Sequence, residues 1–304
     1  MPHLIALDWG TTSLRGYLLD ADGTILERRE GGPGIMKVEG GAFEAALFAF
    51  CGDWIKAHPA AQLIASGMIG SKQGWREAPY CPCPASQAAL ASHLIRVPLA
   101  GGRDLAIVPG VSYVDPQTGV PDVMRGEETQ IIGALPATGH HVAVLPGTHS
   151  KWAWVEGGAI MSFASFMTGE VYAALTQHTI LGRLMRLDAP HNAAAFERGV
   201  RYGLEAPAAL LSRLFSARTL GLFDQLSAQA LPSYLSGLLI GSEIGGASAL
   251  RELSAGATVL GSADLSERYL EALALAGISA GKGPEDCAAR GIARILVIAT
   301  PTEP

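Results

Sequence analysis

The sequence predicts an α/β protein made of two similar domains, and three observations carry this prediction. Short apolar runs separated by turn residues open the chain, helical stretches follow them, and the same strand-turn-strand pattern returns near residue 141. A repeat with a period of about half of the 304 residues indicates two domains rather than a solenoid.

The composition is that of a globular chain with a large core. Hydrophobic residues make up 49% of the sequence and charged residues 16%. No apolar run reaches the roughly 18 residues that a membrane helix needs, and residues 1–3 lack the basic start of a signal peptide. The net charge is −6 with no basic run, and the four cysteines lack zinc spacing. We therefore expect a cytoplasmic protein that binds neither nucleic acid nor membrane.

The first domain is expected to span residues 1–138 and to begin with an antiparallel meander. Leu4–Leu7 is an apolar run, a Gly-Thr turn follows, and a second apolar run leads to the turn at residues 20–24. Residues 24–29 are the third strand. Helical periodicity then predicts helices over residues 42–56 and 127–135.

The second domain, residues 139–284, is expected to repeat this order. Its strands are predicted over residues 142–145, 151–155 and 159–166, with a hairpin turn at residues 156–158. A C-terminal segment, residues 285–304, is expected to return to the first domain as a helix. The remaining helices are predicted over residues 169–184, 196–214, 227–244, 265–276 and 286–299.

Both meanders carry a Gly-Thr turn between their first two strands. We call residues 8–13, Asp-Trp-Gly-Thr-Thr-Ser, loop 1, and residues 146–150, Pro-Gly-Thr-His-Ser, loop 2. The two stretches align without a gap, but Asp8 falls on Leu145. Such turns aim backbone N–H groups at an anion, so two of them facing each other would hold a phosphate chain.

A triphosphate brings Mg²⁺, which Asp8 is placed to hold through water molecules. Lys151 can neutralise phosphate charge, or it can point away along its strand. The predicted phosphate contacts are Gly10, Thr11, Thr12, Ser13, Gly147, Thr148, His149, Ser150 and Lys151.

Several motifs together resemble the 2-dehydro-3-deoxygalactonokinase family of the actin, sugar kinase and Hsp70 superfamily. The resemblance implies two RNase H-like domains facing a central cleft, with ATP and Mg²⁺ bound there. It also implies phosphorylation of 2-dehydro-3-deoxy-D-galactonate to its 6-phosphate in galactonate breakdown. The motifs are the two loops and residues 66–75, 77–84, 124–130, 166–170 and 236–243. The second phosphate loop of the superfamily usually carries an acidic residue, and Leu145-Pro146 takes its place here.

The catalytic base is predicted to be Glu127 or Glu128, with Glu127 favoured. Both lie at the start of a predicted helix, whose dipole would lower the pKa of a carboxyl there. A Glu-Glu pair at this point of the chain also resembles the element that carries the catalytic Glu of exopolyphosphatases. The alternative is a solvated helix start whose acids only complement the dipole.

The resemblance places the sugar acid near a Gly-rich loop and the residues before Glu127. Arg125 would clamp the substrate carboxylate, or be a plain surface arginine. Thr168 suits a helix N-cap as well as the cleft. The predicted substrate contacts are Lys72, Gln73, Arg76, Arg125, Thr168 and Glu170, and the predicted adenosine contacts are Gly241, Glu243, Gly261 and Ser262, with helix packing as the alternative for Gly241.

Other functions of the same fold stay open at this point. One is a kinase with another acceptor, such as 2-dehydro-3-deoxygluconate or polyphosphate, although the acidic net charge disfavours polyphosphate. Another is a non-catalytic nucleotide-sensing module, which is expected to carry a DNA-binding motif or an interaction tail. A homodimer is the open alternative to a monomer.

Overall fold

A computed structural model describes residues 3–253 and 255–299 of the chain. The strands are β1 Leu4–Trp9, β2 Ser13–Leu19, β3 Ile25–Pro33, β4 Gln62–Ser66, β5 Cys81–Pro82, β6 Ile95–Leu99, β7 Arg103–Ile107, β8 Val111–Val114, β9 Pro121–Met124, β10 His140–Leu145, β11 Ser150–Glu156, β12 Ala159–Phe166, β13 Ala257–Val259 and β14 Ala280–Lys282. The helices are α1 Phe43–Ala57, α2 Gln87–Ser92, α3 Glu127–Ala134, α4 Thr168–His178, α5 Ala193–Glu205, α6 Leu210–Leu214, α7 Ser216–Leu222, α8 Leu231–Leu250, α9 Ala263–Leu275 and α10 Cys287–Ala299.

The first sheet has the strand order β3-β2-β1-β4-β7-β6. The predicted meander is present, because β1 pairs antiparallel with β2, and β2 pairs antiparallel with β3. Parallel strands β4 and β7 extend the sheet from β1, and β6 closes it in antiparallel pairing. Since β1 is central and buried, its carboxyl end, which carries Asp8, lies between neighbouring strands rather than at an edge.

The second sheet has the strand order β12-β11-β10-β13-β14. Its β10 is parallel to β13, and β13 is parallel to β14. The order matches β3-β2-β1-β4-β7 strand for strand, so the repeat predicted from the sequence is confirmed in the topology. Glycines at residues 157 and 158, both at positive φ, form the two-residue turn between β11 and β12.

The chain divides into two compact units. Of the described residues, the first unit comprises 3–139, 155–163 and 284–299, and the second comprises 140–154, 164–253 and 255–283. The predicted division at residues 138/139 and 284/285 did not separate residues 155–163. These residues group with the first unit because Ala85 and Ile160 form a β-bridge and Phe163 lies 6.1 Å from the Tyr113 ring.

Helix α10 packs against α3 within the first unit. Glycines make the close approach possible, since a Cβ on Gly133 would lie 1.8 Å from the Cys287 carbonyl oxygen. The Arg294 guanidinium also donates to the Ile132 carbonyl. The part of residues 285–304 that the structure describes therefore returns to the first unit, and residues 300–304 lie outside the described range.

Each sheet is covered by a separate apolar core. In the first unit, Trp54 and Leu47 of α1 pack with the buried faces of β1 and β4, and in the second unit Phe196 of α5 packs with Ile240 of α8. The predicted helix over residues 196–214 is instead two helices, α5 and α6. The break falls at Pro207, whose ring lacks an N–H to continue the helix.

Within the described residues, no helix is long and apolar enough to span a membrane.

Candidate active site

Hydrogen bonds to residues 33–36 and within the turn fix the conformation of loop 1. The Trp9 side chain is fully buried, and its Nε1 donates to the Pro33 carbonyl at 2.9 Å. The Gly10 and Thr11 carbonyls accept from the backbone N–H groups of Ile35 and Met36. Gly10 itself donates to the Ser13 carbonyl at 2.9 Å and closes the turn. The side chains of residues 11–13 are left exposed, which suits contact with a phosphate.

Asp8 lies where β1 runs into loop 1. Its carboxylate is 3.7 Å from the Arg15 guanidinium. Burial raises the pKa of Asp8, and Arg15 works against that rise. The side chain is 22% exposed, so it can still be reached by water or a hydrated ion.

Two glycines bring the ends of β1, β4 and α3 together. Gly67, after β4, has φ +91°, and a Cβ there would lie 2.9 Å from the Trp9 carbonyl oxygen and 3.5 Å from the Asp8 carboxylate. Gly126, before α3, has φ +106° and packs on the Gly67 Cα. Both glycines lie in the sequence motifs given above, but the contact between them was not predicted. Their signal was a glycine directly after a buried strand and directly before a helix.

The two glutamates at the start of α3 lie in different surroundings. Glu127 is half-buried and its Oε2 accepts the Arg125 backbone N–H at 2.9 Å. Glu128 is fully buried, and its Oε2 accepts the Gly126 N–H at 2.7 Å. Among the described residues, the buried Glu128 Oε1 has no hydrogen-bond partner.

Burial, followed by the charge of Glu127, raises the pKa of Glu128 to about 8. The expectation that the helix dipole lowers the pKa is wrong for Glu128, because loss of hydration outweighs the dipole at a fully buried site. Glu127 is therefore the carboxylate that a substrate can reach, and Glu128 is largely protonated at neutral pH.

The Arg125 guanidinium lies against the loop after β4. Its Nη2 donates to the Ala78 carbonyl at 2.8 Å, and the group lies 4.5 Å from the Tyr80 ring centroid. Its Nε and Nη1 atoms are buried, and a Cβ on Gly70 would lie 2.9 Å from Nη1. Arg125 thus braces the loop after β4 and is not a surface arginine. Since its Nε and Nη1 have no hydrogen-bond partner among the described residues, a contact with the substrate carboxylate stays a prediction.

The Gly-rich loop after β4 is compact. Gly74 packs so tightly on the Ile69 carbonyl that a Cβ would lie 2.1 Å from its oxygen, and Trp75 stacks on Phe43 at 6.1 Å. The predicted substrate residues Lys72, Gln73 and Arg76 are exposed on this loop.

Loop 2 rests on the N-terminus of α4. The Glu170 backbone N–H donates to the Thr148 carbonyl at 3.0 Å. A Cβ on Gly169 would lie 2.4 Å from the Gly147 carbonyl oxygen, so the sequence signal for this contact is the glycine in the first turn of α4. The exposed His149 ring bonds the Glu170 carboxylate through Nε2 at 2.5 Å. Gly147 and Thr148 remain accessible, as the prediction requires.

A buried carboxylate ties the strand after loop 2 to three helices. Glu243, 3% exposed on α8, accepts hydrogen bonds from Trp152 Nε1 at 2.8 Å, from Tyr269 Oη at 2.7 Å and from Thr168 Oγ1. Tyr269 Oη also bonds Ser150 Oγ at 2.9 Å. Burial raises the pKa of Glu243, and its donors, led by Thr168, oppose the rise.

This cluster gives three of the predicted contact residues structural partners. Glu243 and the fully buried Ser150 are joined through Tyr269, and their contacts with a nucleotide stay predictions. Thr168 is the first residue of α4 rather than its N-cap, and its hydroxyl is used by Glu243. Lys151 is 5% exposed, and alternation along β11 places it on the opposite face from Ser150 and Trp152. Its contact with a phosphate stays a prediction.

Gly241 and Gly261 have different roles. Gly241 faces α5, and a Cβ there would lie 2.3 Å from the Val200 carbonyl oxygen, so helix packing is sufficient to explain this glycine. Gly261 is exposed next to Pro146 of loop 2, with 3.5 Å between its ideal Cβ position and Pro146 Cδ. Ser262, the N-cap residue of α9, is exposed beside it.

A small pocket opens next to loop 2 within the second unit. Its volume is about 80 Å³, and it mixes aromatic, aliphatic and basic groups. The pocket was not predicted, because its walls come from three helices that are distant in sequence, α4, α8 and α9. The lining includes Gly147, Tyr172, Ser236, Leu239, Leu265 and Arg268.

The carboxylates of the site suit a hydrated metal better than a protein cage. No group of three or more His, Cys, Asp or Glu side chains in the described part of the chain could hold a metal ion. Mg²⁺ in phosphoryl-transfer sites commonly keeps several waters and takes one or two carboxylates. Asp8, partly exposed at the head of loop 1, fits that role.

Two α/β units with a matching strand order, each with a Gly-Thr loop after its central strand, form a two-domain kinase fold. The family model for 2-keto-3-deoxy-galactonokinase matches residues 8–295. The chain belongs to this family and is a carbohydrate kinase, as the sequence motifs predicted.

Individual relatives agree with this assignment. A protein from Rhizobium meliloti strain 1021, named a probable 2-dehydro-3-deoxygalactonokinase, is 36% identical over 281 residues, covering 91% of this chain and 90% of its own length. The 2-dehydro-3-deoxygalactonokinase of Escherichia coli K12 is 35% identical, with 90% of each chain covered. A crystal structure of a Sinorhizobium meliloti protein that carries the same enzyme name superposes with a TM-score of 0.83, at 34% identity and 97% coverage of both chains.

Proposed function

We propose that this kinase transfers the γ-phosphoryl group of ATP to the 6-hydroxyl of 2-dehydro-3-deoxy-D-galactonate. Family membership over residues 8–295 supports the substrate class. The observation that carries the chemistry is the meeting of loop 1 with the start of α3, joined by Gly67 and Gly126. A phosphate-type loop there adjoins a reachable carboxylate, Glu127.

Glu127 is proposed to orient the acceptor hydroxyl and to take its proton. The bond from the sugar oxygen to the γ-phosphorus forms while the bond from that phosphorus to the β,γ-bridging oxygen breaks. The proton moves to the Glu127 carboxylate, and ADP leaves. Proton transfer can be late in such a loose transition state, so a carboxylate is sufficient as the proton acceptor.

ATP is proposed to bind through its phosphates to loop 1 and loop 2. The hydroxyls of Thr11, Thr12, Ser13 and Thr148 supply donors, and His149 adds one from its ring. When bound, Mg²⁺ would neutralise negative charge on the phosphates, and Asp8 would hold it through water. The adenosine is proposed to lie against Gly261, Ser262 and the pocket beside loop 2.

The sugar acid is proposed to meet the exposed side chains of the loop after β4. Lys72 and Arg76 carry positive charge suited to its carboxylate, and Gln73 offers an amide to its hydroxyls. Lys72 is one of only five lysines in the sequence. Glu170 stays a proposed substrate contact. The cytoplasm also stays a prediction for the enzyme's location.

The test is ADP release with Mg-ATP in parallel reactions. One contains 2-dehydro-3-deoxy-D-galactonate, one contains the 2-dehydro-3-deoxygluconate epimer, and one contains no sugar. Release that depends on the galactonate form, with phosphate found on its 6-oxygen, supports the proposal. Faster release with the epimer would reassign the substrate, and release without any sugar dependence in ATP-binding protein would overturn it.

A further inference from the structure

Arg268 of α9 lines the pocket beside loop 2 and carries a charge that the protein itself does not use. In the part of the chain that the structure describes, its guanidinium forms no hydrogen bond and no ion pair. Asp264 and Glu271, at neighbouring positions of the same helix, form no salt bridge with it, and Glu271 lies 3.8 Å from His191 instead. A half-buried guanidinium without an internal acceptor suits an anionic ligand.

The next residue along α9 fixes this helix against loop 2. Tyr269 is 2% exposed, and its Oη lies 2.9 Å from the Oγ of Ser150, the last residue of loop 2. The same Oη donates to the Glu243 carboxylate at 2.7 Å. Leu265, Arg268 and Tyr269 are spaced by three and four residues, so they share one side of α9, and all three line the pocket. Arg268 is therefore supplied by a helix that is anchored to loop 2.

The pocket connects Arg268 with the turn of loop 2. Gly147 belongs to the same lining, and a Cβ built on it would meet nothing within 4 Å, so the space beside its backbone is open. Tyr172 of α4 also lines the pocket. Burial raises the pKa of Tyr172, and the positive charge of Arg268 opposes this rise, which shows that the charge acts on the pocket wall.

The other cationic side chains of loop 2 and β11 are less available to a ligand. The His149 ring is bonded to the Glu170 carboxylate at 2.5 Å. Lys151 is only 5% exposed. Of these three groups, Arg268 is the one that is both partly exposed and without a partner among the described residues.

We propose that Arg268 binds the phosphate chain of the nucleotide where this chain leaves loop 2 toward the pocket. The inference rests on the proposed function, because it takes loop 2 as one of the two phosphate-binding turns. A charge-assisted contact between a guanidinium and a phosphate stabilises the bound nucleotide. Arg268 is then a binding residue, whose loss weakens nucleotide binding and leaves the proton transfer at the sugar hydroxyl unchanged.

The test is isothermal titration calorimetry of the full chain with Mg-ADP and without a sugar acid, so the result does not depend on which acceptor is phosphorylated. Wild type is compared with Arg268→Met and Arg268→Glu, which remove and reverse the charge, and with Arg268→Lys, which keeps it. We expect the Kd for Mg-ADP to rise at least about tenfold in Arg268→Met and further in Arg268→Glu. The Kd of Arg268→Lys should lie between those of wild type and Arg268→Met.

The matched control is Arg96→Met, at an exposed arginine of β6 in the first unit, and its Kd should equal that of wild type. Far-ultraviolet circular dichroism checks that each variant is folded. If Arg268→Met is not folded, Arg268→Gln is measured by the same criterion.

Two results would overturn the inference while leaving the proposed function in place. One is an unchanged Kd in Arg268→Met and Arg268→Glu. The other is an equal rise in all three variants, because a lost packing contact with the adenine does not follow the charge of the side chain. A wild type that binds no Mg-ADP would overturn the proposed function together with the inference.

Discussion

At the scale of single residues, neighbouring glutamates acquire different chemistry from their surroundings. Glu127 is half-buried and Glu128 is fully buried at the start of the same helix. Environments that push the pKa values of adjacent carboxyls apart are a common way of separating their roles. Here the residue that a substrate can reach is not the residue with the strongly raised pKa.

The two glutamates should therefore respond differently to amidation. In Glu127→Gln the proton acceptor is lost, so kcat should fall by about 10²–10⁴-fold with little change in stability. Glu128→Gln should keep most of its turnover, because a protonated carboxyl and an amide are both neutral. Steady-state ADP release measures both. The reverse order of effects would assign the base to Glu128.

Glu128 should also make the stability of the protein depend on pH. Its pKa rises from about 4.5 unfolded to about 8 folded, so between these values the folded state holds the extra proton. The free energy of unfolding then falls as pH increases through this window, by about 1.4 kcal/mol per unit of pKa difference at most, and levels off above pH 8.

Thermal midpoints of wild type and Glu128→Gln from pH 5 to 8.5 test this. The wild type should lose several degrees relative to the variant as pH increases. Glu267→Gln, at an exposed position of α9, is the control and should follow the wild type. Parallel curves for wild type and Glu128→Gln would show that the carboxyl is not held neutral.

At the scale of elements, loop 2 takes its shape from α4, α8 and α9 rather than from its own residues. Gly169 lets the first turn of α4 touch the Gly147 carbonyl, and Glu243 holds Trp152, Thr168 and Tyr269. Glu243 thus has a structural role one layer below the loop.

Gly169→Ala should displace loop 2 without unfolding the protein. The added methyl would lie 2.4 Å from the Gly147 carbonyl oxygen, so the loop must move. We expect the KM for ATP to rise by on the order of tenfold, about 1.4 kcal/mol of lost binding. Gly52→Ala in α1, whose Cβ would meet Phe48 at 3.7 Å, is the control. An unchanged KM for ATP in Gly169→Ala would show that loop 2 does not bind ATP.

Glu243→Gln should weaken both the cluster and the loop. A glutamine has one acceptor oxygen where the carboxylate has two, so a buried donor is left facing an NH₂ group. The expected loss is about 1–3 kcal/mol in the free energy of unfolding, with a larger rise in the KM for ATP than fall in kcat. Urea unfolding and ATP titration measure these, with Glu267→Gln beside them. A fall in kcat alone would point to a direct role in the reaction instead.

Elements with strong periodicity were predictable from the sequence, and long-range contacts were not. The two meanders and α1, α3 and α9 lie within a few residues of their predicted bounds. The small sheet of β5, β8 and β9 was missed, because two- to four-residue strands in a Pro-containing stretch carry no clear alternation. The roles of Arg125, Glu243 and Thr168 depend on partners from distant segments, which spacing along the chain does not reveal.

At the scale of the whole molecule, the two copies of the sheet differ in the residue at the end of their central strand. The first copy keeps Asp8 at the end of its central strand, and the second has Leu145 at the matching position. The proposed metal ligand is therefore supplied once, although the proposed phosphate contacts are supplied twice.

Mg-ATP should stabilise the protein more than ATP alone, and Asp8 should be responsible for the difference. At 100 times its Kd, a ligand adds about 2.7 kcal/mol to the free energy of unfolding. In Asp8→Asn the extra increase in thermal midpoint with Mg²⁺ should shrink, while Asp104→Asn, at an exposed position of β7, should behave as wild type. If the extra increase in thermal midpoint with Mg²⁺ is as large in Asp8→Asn as in wild type, Asp8 does not hold the metal ion.

The fluorescence of the buried tryptophans beside the two loops can report the steps of ATP binding. Trp9 lies under loop 1 with its N–H on the Pro33 carbonyl, and Trp152 follows loop 2 with its N–H on Glu243. Indole emission responds to changes in local polarity and hydrogen bonding. Replacing either tryptophan by phenylalanine would assign the spectral change on adding ATP to one loop or the other, so the order in which the loops engage the nucleotide could be followed without any attached dye.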